Sequence, residues 1–178
     1  MTQYGRPDSD IVVNGWLPSS GSLLYPMLDE AVPADTDYIQ RRTSSNDTCT
    51  IGLSNVTDPE TGSGHTVRIR ARRDNGTIDY TLNIELLQES TVIASWIETF
   101  PDSWTTFTNT LTESQANSIT DYTALRLRLT VTNTSGFGTA YAQISWAEFE
   151  CPDLATTGHA GTAVNSQPLK SKMEALVA

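Results

Sequence analysis

Leu125-Arg126-Leu127-Arg128-Leu129-Thr130-Val131 carries an apolar side chain at every second position. A period of two turns one face of an extended strand to a core and the other to water. The same alternation returns in Thr66-Val67-Arg68-Ile69-Arg70-Ala71-Arg72 and in Tyr80-Thr81-Leu82-Asn83-Ile84-Glu85-Leu86. It is also read at Cys49-Thr50-Ile51-Gly52-Leu53, from Val92 to Trp96, at Trp104, Thr106 and Thr108, and from Tyr141 to Trp146. Seven or more such strands, separated by turns such as Asp74-Asn75-Gly76, predict an antiparallel sandwich. Thr is about one residue in seven, and a branched Thr side chain suits a pleated surface. The fold class expected is all-β: an antiparallel jelly-roll sandwich of eight or nine strands with extended terminal arms.

One stretch breaks the pattern. Thr112-Glu113-Ser114-Gln115 has the spacing of a capping box, so a short crossover helix is predicted over about 112–119.

The 178 residues divide into three regions. Residues 1–37 hold Pro7, Pro18, Pro26 and Pro33 and read as an N-terminal arm with edge strands. Residues 38–153 form the predicted sandwich domain. Residues 154–178 read as a tail with a short helix over 167–177, where Leu169, Met173 and Leu176 recur at helical spacing. Charge separates the parts. Residues 1–153 hold 9 basic and 20 acidic groups, or −11, whereas Lys170 and Lys172 against Glu174 make the tail +1.

A net charge of −10 repels phosphate backbones, so no nucleic-acid partner is expected. No apolar run approaches the roughly 20 residues of a membrane helix, and no membrane role is expected. Met1 to Pro7 shows neither a basic leader nor an apolar core of a signal peptide, so no secretion is expected.

Candidate chemistry is sparse. Asp29, Glu30, Asp35 and Asp37 crowd one Pro-rich loop and are the calcium candidates, but they lack a regular ligand spacing, so no metal or other cofactor is expected. His65 and His159 have no partner at zinc spacing. No Gly-x-Ser-x-Gly elbow occurs. Glu148 and Glu150 pair at period two, where a polar solvent face is the simpler reading than a glycosidase site. Arg68, Arg70 and Arg72 share one strand face, as do Arg126 and Arg128. If the two strands are neighbours they form a basic stripe suited to pairing with a partner's carboxylates. Lys170, Lys172, Leu169, Met173 and Leu176 are the partner-binding candidates of the tail. Trp104 and Tyr122, with Trp96 beside them, are the candidate glycan contacts. Cys49 and Cys151 could bridge the first and last strands or remain buried free thiols; both readings stand.

Tyr4-Gly5-Arg6-Pro7-Asp8-Ser9-Asp10 leads to Asn14-Gly15-Trp16, Leu28-Asp29-Glu30 and Asp35-Thr36-Asp37-Tyr38-Ile39. These are followed by residues 118–128 and by Ile144-Ser145-Trp146-Ala147-Glu148-Phe149-Glu150-Cys151-Pro152. This order, over residues 4–153, resembles small β-sandwich virion proteins of tailed bacteriophages and gene-transfer particles. The resemblance implies a jelly roll similar to galactose-binding and carbohydrate-binding modules, used as a non-enzymatic structural piece. It carries over no catalytic residue. The expected function is a capsid decoration or head-spike protein attached through a terminal arm, located in the virion and assembled in the host cytoplasm. Its partners would be capsid or tail subunits and further copies of itself. The alternative is a carbohydrate- or receptor-binding module of a tail or tail-fibre assembly, with a host surface glycan as ligand.

Overall fold

In a computed structural model, which describes residues 1–43, 46–136 and 138–154, the alternating segments become two antiparallel sheets facing one another. The strands are β1 (Thr2–Gly5), β2 (Pro7–Val12), β3 (Leu17–Pro18), β4 (Ile39–Arg41), β5 (Asn46–Leu53), β6 (Thr66–Arg73), β7 (Tyr80–Gln88), β8 (Thr91–Thr99), β9 (Thr105–Thr110), β10 (Leu125–Asn133) and β11 (Ala142–Pro152). One sheet has the order β2-β5-β10-β7-β8. The other has the order β3-β4-β11-β6-β9, with β1 also paired to β11. The all-β sandwich follows directly from this pairing. There are eleven strands among the described residues rather than eight or nine. The extra ones are short: β3 spans two residues and β4 three, too few for a period to show in sequence.

The core lies between the sheets. Ile51, Leu82, Ile84, Leu127 and Leu129 of the five-stranded sheet meet Val67, Ile69, Ile144 and Phe149 of the other, all at most 1% exposed. Burying one such side chain is worth about 1.5–3 kcal/mol, so these pairs dominate the stability. Asp74-Asn75-Gly76 does turn the chain, but it carries it from one sheet to the other, because β6 and β7 do not pair.

The predicted helix is shorter than 112–119. It runs Glu113–Ala116 (α1), and Thr112 and Gln115 complete both halves of the capping box. Beyond it, Ser118 and Ile119 donate i→i−3 bonds to Gln115 and Ala116, and the helix goes no further.

Residues 1–37 supply edge strands to both sheets. β1 pairs with β11 and β2 with β5, while Trp16, Leu24 and Leu28 enter the common core. Asp10 fastens the segment by accepting from the Leu24 and Tyr25 amides at 2.8 Å each. The tail and its expected helix over 167–177 lie outside the described residues.

Candidate functional site

The site is built around an irregularity in β11. Its register against β6 shifts between Ile144 and Trp146, the signature of a β-bulge at Ser145. Before the bulge, even-numbered Ile144 points to the core opposite Ala71. After it, Ala147, Phe149 and Cys151 face the core, and Trp146, Glu148 and Glu150 share the outer face with Arg70, Arg68 and Thr66. Directly opposed residues of an antiparallel pair lie on one face, so the bulge places two carboxylates beside the arginine row of β6.

A second feature opens the cleft. On the side of β11 away from β6, β4 pairs with residues 142–144 and β1 with 149–152. Between these two strands the loop following Leu28 takes over. Ala147 N donates to Leu28 O at 3.1 Å, the Trp146 indole N–H donates to Glu30 O at 2.7 Å, and Ser145 Oγ donates to Asp35 at 3.0 Å. The space left between loop, β1 and β11 is a cleft of about 490 Å³. It is lined by Tyr4, Arg6, Ala31, Val32, Pro33, Arg68, Trp146, Glu148 and Glu150.

Within the cleft charge alternates along a row. Arg6 Nη2 donates to Glu148 Oε2 at 2.6 Å, and Arg68 Nη1 reaches Glu148 Oε1 at 3.5 Å and also bonds Glu150. Glu148 is 4% exposed. Burial pushes its carboxyl above the usual range, and the Arg6 and Arg68 guanidiniums oppose that shift. The Arg6 guanidinium also lies 4.9 Å from the Tyr4 ring centroid, in the range of a cation–π contact. Glu148 is therefore a buried member of an ion-pair row, which corrects the reading of both glutamates as a solvent face.

The row continues along β6. Arg70 grips Asp35 through two bonds of 2.7 Å, and Arg70 and Ser145 hold that carboxyl below its usual range. Arg72 bonds Gln143 at 2.9 Å and lies 4.7 Å from the Trp104 ring, which in turn packs on Tyr38. Trp104 thus sits on this same outer face, at the far end from the cleft.

Other predicted residues fall elsewhere. Arg126 and Arg128 are on β10, in the opposite sheet, so no continuous stripe joins them to Arg68 and Arg70; Arg128 pairs with Glu85 at 2.6 Å. Tyr122 is not an exposed glycan platform: it is 6% exposed and its hydroxyl bonds His65 Nε2 at 2.8 Å, at an end of the core beside Phe149. Trp96 packs partly buried against the core. Among the described residues no group of three or more His, Cys, Asp or Glu is arranged to hold a metal ion. Of the calcium candidates, Asp35 is taken by Arg70, Asp29 is exposed, and Glu30 lies against Asp37. Burial and the neighbouring Asp37 push the Glu30 carboxyl up to about 7. Cys49 and Cys151 are buried free thiols, both raised in pKa by burial, Cys151 to about 12. Lys170, Lys172, Leu169, Met173 and Leu176 lie outside the described residues.

Sequence reading missed Tyr4, Arg6 and Val32 as site residues. Tyr4 lies opposite Glu150 and Arg6 bonds Glu148, each across more than 140 positions of chain, and no local pattern reports such a pairing.

No family model matches the chain, and neither does any curated protein. Solved structures that resemble it include an arabinose-bound GH51 α-L-arabinofuranosidase, with 15% identity, a TM-score of 0.46, and 78% of this chain but only 23% of that one covered. They also include the CBM36-1 domain of a multidomain xylanase from the hindgut metagenome of Trinervitermes trinervoides, at 8% identity and a TM-score of 0.39, covering 84% of this chain and 96% of that domain. A CBM61 module in complex with β-1,4-galactotriose gives the same identity and score over 85% and 88% of the two chains. What this chain has in common with them is the β-sandwich alone.

Proposed function

We propose that this chain is a non-enzymatic binding module whose cleft between β1, β11 and the 31–33 loop takes a saccharide. The observation that carries the proposal is the cleft's composition. Planar guanidinium and carboxylate groups alternate along its floor, Tyr4 is 42% exposed at its side, and Ala31, Val32 and Pro33 give it an apolar wall. Pyranose rings present hydroxyls around the rim and C–H groups on the faces, and a concave site with a few fixed polar groups among apolar ones matches that pattern. A module of this kind fits a receptor-binding position in a tail or tail-fibre assembly.

A glycan array probed with the purified full chain tests the reading. Saturable binding to one glycan class, lost in Tyr4→Ala, supports it, and a blank array contradicts it. Tyr4 is chosen because it is partly exposed and outside the core, so its truncation leaves the sandwich intact.

A second reading is a capsid decoration or head-spike protein, favoured by the polarity between a −11 body and a +1 tail. Its test is particle occupancy: deletion of 154–178 should weaken attachment to virions, and unchanged occupancy contradicts attachment by the tail.

A further inference from the structure

We propose that the cleft selects saccharides carrying an N-acetyl group over the unsubstituted sugar; this rests on the saccharide reading above. Both oxygens of the buried Glu148 carboxylate already accept from guanidiniums, Oε2 from Arg6 and Oε1 from Arg68. The Arg6 and Arg68 side chains nevertheless stay 27% and 29% exposed. Apart from Arg6 Nε, which is buried, their remaining N–H groups make no hydrogen bond among the described residues and can donate to an acceptor. Glu150 offers the opposite: Oε2 is engaged by Arg68, whereas Oε1 has no described partner and accepts a donor. The loop wall adds an apolar surface, because Val32 is 75% exposed between Ala31 and Pro33.

A ligand that meets all three demands carries a carbonyl oxygen, an N–H and a methyl group close together, and carries no charge. An acetamido group has this set. Its carbonyl accepts from a guanidinium, its N–H donates to Glu150, and its methyl covers Val32 or Pro33. A carboxylate in the same place cannot donate to Glu150, and both that neighbouring carboxylate and the net charge of −10 repel it. A plain hydroxyl in the same place reaches the polar groups but brings no methyl, so it covers less of the apolar wall than an acetamido group does, and apolar surface left in water counts against it.

Calorimetric titration of the full chain with three probes tests the inference: tri-N-acetylchitotriose, its de-N-acetylated glucosamine trimer, and cellotriose. The expected result is binding of the acetylated trimer at least about tenfold tighter than cellotriose. Val32→Ser, a change at an exposed residue of the apolar wall, should shrink that ratio. Equal affinity for the acetylated trimer and cellotriose, or a ratio unmoved by Val32→Ser, overturns the N-acetyl preference and leaves the saccharide reading in place. Tightest binding of the cationic glucosamine trimer also overturns it, since attraction to the acidic body would then set the order. Failure of all three, together with a blank glycan array, overturns both.

Discussion

Glu148 shows what one residue does in this molecule. Its carboxylate is buried, yet it joins β11 to β6 through Arg68 and to the N-terminal segment through Arg6. Truncating one member of a buried ion pair typically costs about 3–5 kcal/mol, because the partner charges are left unpaired. Here both guanidiniums are more than a quarter exposed and can recover water, so Glu148→Ala is expected to cost about 2 kcal/mol in chemical denaturation. Glu30 is a second residue with a readable charge. Its native carboxyl holds its proton up to about pH 7, whereas in the unfolded chain it ionises near the ordinary 4.5. The folded form therefore binds more protons between those values, and stability from this group, full below pH 4.5, is lost as pH rises to 7. Glu30→Gln should melt higher than the wild type at pH 8, and the gap should close toward pH 5. A constant gap across that range would contradict the assignment. His65 has the opposite sign. Burial lowers its pKa, so its contribution is present above the unfolded value of 6.5 and lost as pH falls below it.

At the scale of the element, the long strands were legible because their period is unbroken: β6, β7 and β10 place Val67, Leu82 and Leu127 inward as the alternation requires. The capping box at Thr112 was equally legible, since its two bonds are local. What sequence could not report is the bulge at Ser145. Read without it, Ile144 and Trp146 lie on one face; with it, the indole turns outward and the Glu148–Glu150 pair joins the arginine row. A one-residue slip changes every face that follows, and nothing in the identity of Ser145 announces it. Close packing of β2 on β5 makes a further prediction. A Cβ at Gly52 would meet Ser9 Oγ at 2.2 Å, so Gly52→Ala should cost about 1 kcal/mol by overpacking. The double variant Gly52→Ala/Ser9→Ala should recover most of it, as read from the shift in denaturation midpoint.

For the whole molecule, the charge arithmetic of the sequence holds one lesson and the fold another. Residues 1–12 are not separable from the sandwich, because β1 and β2 complete both sheets and carry Tyr4 and Arg6 to the cleft. Removing them should abolish cooperative unfolding. Among the described residues the core ends at Cys151, and removing 154–178 is expected to leave the melting temperature unchanged. Loss of folding on tail deletion would show that the body needs it. The cleft itself was out of reach of sequence reading, since its lining comes from four segments far apart in the chain, around residues 4–6, 31–33, 68 and 146–150.

Chemical-shift mapping of the full, isotope-labelled chain with the best glycan ligand tests the central claim most directly. Saccharide binding in the cleft predicts shifts centred on Tyr4, Arg6, Val32, Arg68 and the Trp146 indole. Shifts confined to the outer face of the opposite sheet, around Thr48, Thr130 and Ile97, would contradict it.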